Sequence, residues 1–174
     1  MTVSDTSPRR NLAGWVWTLP LVFVVHDSEE IMTMATFLRS HADRLPGQLL
    51  KVTALSTGQF ALSVLFLLAL ILVFCLLAKR ASYTGLPMTL FAVLTAILFG
   101  NGLTHLGQAA ILRGYTPGLL TAPFVILFTL LALRSFQDAG FITRRNLLPV
   151  LAAGFFLQLP LIAIALAFGR IFSL

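Results

Sequence analysis

Residues Leu12 to Leu38 read LAGWVWTLPLVFVVHDSEEIMTMATFL. The stretch is apolar enough to cross a bilayer except at its middle, where His26, Asp27, Glu29 and Glu30 place four ionisable side chains within five positions. A charged group near a bilayer centre costs about 2.5–3.5 kcal/mol on insertion scales, so such residues are expected to face a protein interior and to meet partners there. The rest of the chain must supply those partners.

Composition sets the class. Of 174 residues, 58% are hydrophobic and 10% charged, against a globular norm of about 25% charged. Too few polar side chains are present to cover a water-soluble surface, and the expected fold is all-α, a polytopic transmembrane helix bundle of about five spans forming one integral membrane domain over 1–174. The net charge of +6 comes from Lys and Arg standing singly or in pairs at the ends of apolar runs. That pattern sets membrane topology and lacks the basic stripe of a nucleic-acid binder. Cys75 is the only cysteine, which excludes an internal disulfide and CxxC chemistry. The first apolar run carries charge and lacks a small-residue cleavage site, so it is expected to be a retained helix.

Crossing the hydrocarbon takes about 20 apolar residues. Five stretches qualify: 12–37, 53–78, 86–112, 117–134 and 147–172. Pro117 suits a first helical turn, which sets the expected start of the fourth. With five crossings, Arg9, Arg10, Lys79, Arg80, Arg134, Arg144 and Arg145 fall on one side, and Arg39, Arg44, Lys51, Arg113 and Arg170 on the other. The pairs in short connections, Lys79-Arg80 and Arg144-Arg145, point to a cytoplasmic N-terminus. Trp15 and Trp17 fit an interfacial belt, and His41 a solvated loop. No repeat suggests an inverted-repeat transporter.

At about 100° per residue, His26, Glu29, Glu30 and Thr33 share one face of the first span, with Asp27 on its flank. In the third span Asn101, His105 and Gln108 share another, beside Thr104. Both stripes lie past the midpoints of helices running the same way, so their heights match. Gln59 in the second span falls at a comparable level, Gln158 in the fifth lies nearer the middle, and Tyr115 follows the third span on the same side. Imidazole and carboxylate together are ligands of zinc, iron or manganese, and His and Glu spaced along helices recur in bundle metal sites. A divalent metal, zinc or iron, is the expected cofactor, with His26, Glu29, Glu30 and His105 as ligands. Without one, two neighbouring carboxylates could hardly both stay ionised, a state suited to proton relay or acid/base work. Asn101, Gln108, Asp27 and Gln59 are expected in support, Glu30 as general base, and Tyr115 as a catalytic or gating hydroxyl.

Three signatures thus stand in order: HxxEE at His26–Glu30, NxxxH at Asn101–His105 and YxPG at Tyr115–Gly118. Together they resemble the HXXEE-motif family of small bacterial integral membrane proteins, regarded as membrane enzymes of unassigned activity. The resemblance implies a bacterial inner-membrane location and marks His26, Glu29, Glu30, Asn101, His105, Tyr115, Pro117 and Gly118 as signature residues. For Pro117 and Gly118 the expected role is to shape the turn that holds Tyr115 over the site.

The leading expectation is a membrane-embedded metal-dependent enzyme acting on a lipid-like or other apolar substrate, hydrolytic with zinc and oxidative with iron. Two alternatives remain. One is a small proton- or cation-coupled transporter that uses the Glu/His cluster as its relay, and the other is an accessory subunit of a membrane complex. Membrane lipids are the expected surroundings. A homodimer is compatible with so small a chain, though no GxxxG stripe in an apolar span argues for it.

Overall fold

The computed structural model describes residues 8–41, 43 and 55–172. Among them are five helices and no strand: α1 (Pro8–Ser40), α2 (Thr57–Arg80), α3 (Gly85–Leu112), α4 (Ala122–Asp138) and α5 (Arg144–Ile171). Three of these, α2, α3 and α5, are long and apolar enough to cross a membrane. Large apolar side chains such as Leu21, Val25, Met32, Phe124, Leu127 and Phe156 are exposed around the bundle, far more apolar surface than a monomer in water tolerates. The fold is an all-α bundle whose outside is built for lipid.

Helix ends follow local chemistry. Ser56 and Gln59 form a capping box at the start of α2, with Ser56 N donating to Gln59 Oε1 at 2.9 Å and Gln59 N to Ser56 Oγ at 3.1 Å. This puts the start of α2 at Thr57 rather than 53. Two positive-φ residues, Ser82 and Tyr83, then reverse the chain into α3. Arg113 adopts φ 52° at the end of α3, and Gly114 N reaches back to Ala109 O at 3.2 Å. The fourth helix begins five residues later than the 117 expected from its proline. Gly118 takes φ 80°, outside helical space, so Pro117–Thr121 forms a turn and Pro123 instead occupies the first turn of α4.

Helix α3 lies centrally, against α4 on one side and α5 on the other. Glycines allow the approach. A Cβ on Gly100 would stand 2.9 Å from Phe155 Cα, one on Gly102 2.9 Å from Ile126 Cγ1, and one on Gly154 would collide with the Ala96 backbone. Helix α1 packs on α2 and α4, where Val16, Leu19, Ile71, Phe91 and Phe136 are buried. Cys75 is fully buried there, its thiol donating to Val16 O at 3.3 Å. Trp17 Nε1 reaches the Tyr83 hydroxyl at 3.4 Å and ties α1 to the α2–α3 turn. Trp15 packs edge-inclined on Phe128, ring centroids 5.5 Å apart.

Because the α3–α5 contact passes through backbone at Gly154, Gly154→Val should destabilise the bundle by at least the roughly 1–3 kcal/mol typical of overpacking. Gly107→Ala, where nothing stands within 4 Å of an added Cβ, should leave stability unchanged or slightly raised. Thermal unfolding of the two variants in detergent, followed by helical circular dichroism, checks the pair.

Candidate metal centre

The site is built from two helices, α1 and α3, and the turn before α4. His26 and Glu30 lie one turn apart on α1, and Asn101 and His105 one turn apart on α3, so each pair shares a face. The close approach around Gly100 and Gly102 holds α3 in place between its neighbours. His26, Glu30 and His105 are buried, and one donor atom from each lies within 4.8 Å of the others. Glu30 Oε1 is the point of convergence, 2.8 Å from His105 Nε2 and 3.3 Å from His26 Nε2. The imidazoles meet edge to face, centroids 4.9 Å apart. Asn101 Oδ1 adds a fourth donor atom, 2.8 Å from His26 Nε2.

Hydrogen-bond polarity says what belongs among these atoms. His26 Nε2 faces two oxygens that only accept, Asn101 Oδ1 and Glu30 Oε1, and a proton or a metal ion must therefore lie between them. Although it is 2.8 Å from Glu30 Oε1, His105 Nε2 makes no aligned hydrogen bond. Two imidazole nitrogens, a carboxylate oxygen and an amide oxygen form a donor set suited to zinc, iron or manganese.

The other nitrogen of His26 carries an outer layer of the same kind. Nδ1 lies 2.6 Å from Thr121 Oγ1, which donates its one proton to Glu29 Oε2 at 2.7 Å. Thr121 therefore accepts from His26 Nδ1–H, leaving Nε2 to face the cluster. A bond from the outer ring nitrogen to an oxygen acceptor is the usual way to fix a metal-binding histidine, and here a hydroxyl backed by a carboxylate supplies it. His105 has no such support, since its Nδ1 is buried without a partner.

Glu29 thus stands outside the convergent set that the sequence assigned to it. Its neighbour Glu30 points about 100° away around the helix, and Glu29 faces the turn before α4. There it accepts from the Tyr115 hydroxyl at 2.7 Å, Leu120 N at 3.0 Å, and Thr121 N and Oγ1 at 2.9 and 2.7 Å. Two of these are backbone amides at the start of a helix, where a carboxylate is favoured. Tyr115 is 38% exposed and also bonds Thr33 Oγ1 at 3.3 Å. Burial, with Glu29 beside it, holds its hydroxyl above the usual phenol pKa, so it stays a donor across the physiological range. Its place is on the clasp rather than beside the cluster.

Gly118 closes one side of the site. A Cβ there would lie 2.9 Å from Cε1 of both His26 and His105, and its φ of 80° disfavours any other residue. The expected turn-shaping role is thus joined by direct packing on both imidazoles. The remaining supporting residues divide. Asp27 is buried, with Oδ2 unpartnered. Gln59 caps α2, and Gln108 is exposed on α3. Gln158 is buried and donates to Thr104 Oγ1 at 2.8 Å, joining α5 to α3. Thr121 was not singled out by sequence. Its one signal is a threonine immediately before the Ala-Pro start of a helix, which reads as an ordinary N-cap, yet its hydroxyl makes no capping bond.

Glu29→Ala should release the turn while leaving the helices folded. Bonds to a charged acceptor contribute about 1.5–3 kcal/mol each, so amide exchange at Leu120 and Thr121 should quicken by roughly tenfold or more. Hydrogen exchange with mass spectrometry over 115–121, beside an unaffected α2 segment, tests it.

Comparison with curated proteins and with solved structures finds no match. The family described as a protein of unknown function with an HXXEE motif matches residues 17–133. That match runs from Trp17 in α1 to Leu133 in α4, including His26, Glu29, Glu30, Asn101, His105 and the Tyr115–Gly118 turn, and the chain belongs to the HXXEE family.

Proposed function

We propose that this chain is a membrane-embedded metal-dependent enzyme acting on an apolar, lipid-like substrate, with His26, Glu30 and His105 as metal ligands and Asn101 beside them. The observation that carries the reading is the convergence of two imidazole nitrogens on one buried carboxylate oxygen. Beside it opens an apolar cavity whose wall includes Glu30, Asn101 and Asp27. Zinc bound there would activate water for cleavage of an ester, amide or similar bond, whereas iron would favour oxidation.

The chain's own groups take distinct parts. Glu30 Oε1 lies between both imidazoles, so its first duty is to balance the cationic cluster. The base role then passes to Asp27, whose free Oδ2 belongs to a residue on the same cavity wall. Thr121 and Glu29 hold His26 with Nε2 inward, and the Gly118 turn keeps water from one side of the rings. In this reading α1 and α4 also cross the bilayer. Lys79, Arg80, Arg144 and Arg145 gather at one end of the bundle, where α2, α3, α4 and α5 meet their short turns, and that end faces the cytoplasm of a bacterial inner membrane.

A second reading has its own support. Glu29, Thr121, His26, Glu30 and His105 form a continuous line of polar groups, as a proton relay in a cation-coupled transporter would require.

Metal analysis by mass spectrometry on detergent-purified protein separates the two. Wild type should carry near-stoichiometric metal, and Glu30→Gln and His105→Ala should each lose at least tenfold while keeping helicity and elution volume. Glu29→Gln should lose less, since it acts through Thr121, and such outer partners contribute about ten- to hundredfold in affinity. Absence of metal from wild type would overturn the enzyme reading in favour of the relay.

A further inference from the structure

The cavity beside the cluster is bounded by α1, α2, α3 and α5 and contains about 810 Å³ of space between protein atoms, its mouth included. Its wall is aliphatic over most of its extent, with Leu19, Phe23, Leu67, Ile71, Leu94 and Leu98 among the lining residues. On α1 the lining runs from Leu19 to Glu30, a length of about 16 Å at 1.5 Å per residue. This suits one extended alkyl chain better than a compact ring.

Polar character is confined to a few groups on that wall, and their bonding fixes what they seek. Thr104 Oγ1 donates its only proton to Gly100 O at 2.9 Å. It must therefore accept from Gln158, which places Gln158 Nε2 toward Thr104 and leaves Oε1 free. Gln158 is 2% exposed, and its Oε1 has no partner. Asp27 is 6% exposed, and its Oδ2 has none either. Ser63, on the same wall, has already given its proton to Gln59 O at 3.0 Å. Buried polar atoms are nearly always paired, and Gln158 Oε1 is an amide oxygen that can only accept. The missing partner is a donor.

We propose that this cavity binds a single unbranched alkyl chain ending in a hydrogen-bond donor, a hydroxyl or amino group. The head donates to Gln158 Oε1, on the wall it shares with Asp27, and the tail runs along α1 toward Leu19. The inference rests on the enzyme reading only in naming its substrate class; the binding site itself does not require a metal. A bulk lipid tail would fill the same aliphatic space but would leave Gln158 Oε1 unpaired, which is the difference the test reads.

The full chain in phosphatidylcholine nanodiscs is photolabelled with a diazirine-bearing hexadecanol, and the labelled residues are mapped by mass spectrometry. Labels should concentrate on the cavity residues of α1, α2 and α3. Dodecanol or dodecylamine should compete roughly tenfold better than methyl dodecanoate, which has the tail without the donor. Gln158→Leu should erase that preference while labelling persists, and Leu161→Trp, which fills the cavity, should lower labelling itself. Labels spread over outward residues such as Leu21 and Phe124, or equal competition by the ester against wild type, would overturn the proposal. The same competition on chelator-stripped wild type and on His105→Ala keeps the two readings apart. A donor preference that survives in metal-free protein upholds the site even if the enzyme reading has failed; a metal-loaded protein without the preference removes the site and leaves the metal centre.

Discussion

A carboxylate inside an apolar helix bundle must be matched by positive charge, and Glu30 is the residue on which this constraint falls. It is buried, and at low dielectric an unpaired carboxylate is costly enough to reshape its surroundings or surrender its charge. The structure answers with two imidazoles from different helices, both turned so that Nε2 approaches the same oxygen. The demand for compensation thereby sets helix packing. His105 reaches Glu30 only if α3 sits at one depth and rotation beside α1, and the glycines flanking Asn101 let α4 and α5 press α3 into that position.

The adjacent carboxylate has a different task, and the difference explains why the motif needs two. Consecutive helical residues point about 100° apart, so Glu30 can face α3 only if Glu29 faces elsewhere. What it faces is the turn before α4, gathered by four donors that include two backbone amides. The turn then delivers Gly118 onto both imidazoles and Thr121 onto His26 Nδ1. HxxEE, NxxxH and YxPG are accordingly one assembly. The first supplies His26, Glu30 and the clasp, the second His105 and its amide neighbour Asn101, and the third the tyrosine that joins the clasp and the glycine that fits where no side chain can.

Much of this was legible in the sequence because it depends on period and depth. Apolar run lengths located the five helices to within a few residues. Helical spacing put His26 with Glu30 and Asn101 with His105, and matching height brought the pairs together. What escaped depended on rotation and on the turn. On a helical wheel Glu29 and Glu30 flank His26 on either side of one polar arc, and only the position of the α3–α4 turn decides which of them joins the cluster. Gln108 lies three residues beyond His105, far enough around α3 to leave the packed face and reach the outside. Gln59 is at the expected level, but its side chain is consumed by the capping box with Ser56. Thr121 carries only the pattern of an ordinary N-cap, because a hydroxyl's role is set by its neighbours in space.

The two sides of the cluster are unlike, and this asymmetry bears on which chemistry the fold suits. On one side Gly118 presses against both rings so closely that even a methyl group would not fit. On the other, α2 and α5 stand back and leave the aliphatic cavity, whose lining includes no residue of the turn. A relay that moves ions across a membrane needs water at both ends of its polar path. A site that excludes water on one face and offers an apolar channel on the other is better suited to holding a reacting group in a dry, fixed environment, where electrostatic interactions are strongest. The clasp, the glycine and the cavity thus favour the same reading: groups held rigidly by Glu29 and packed helices, approached from the side where hydrocarbon is welcome.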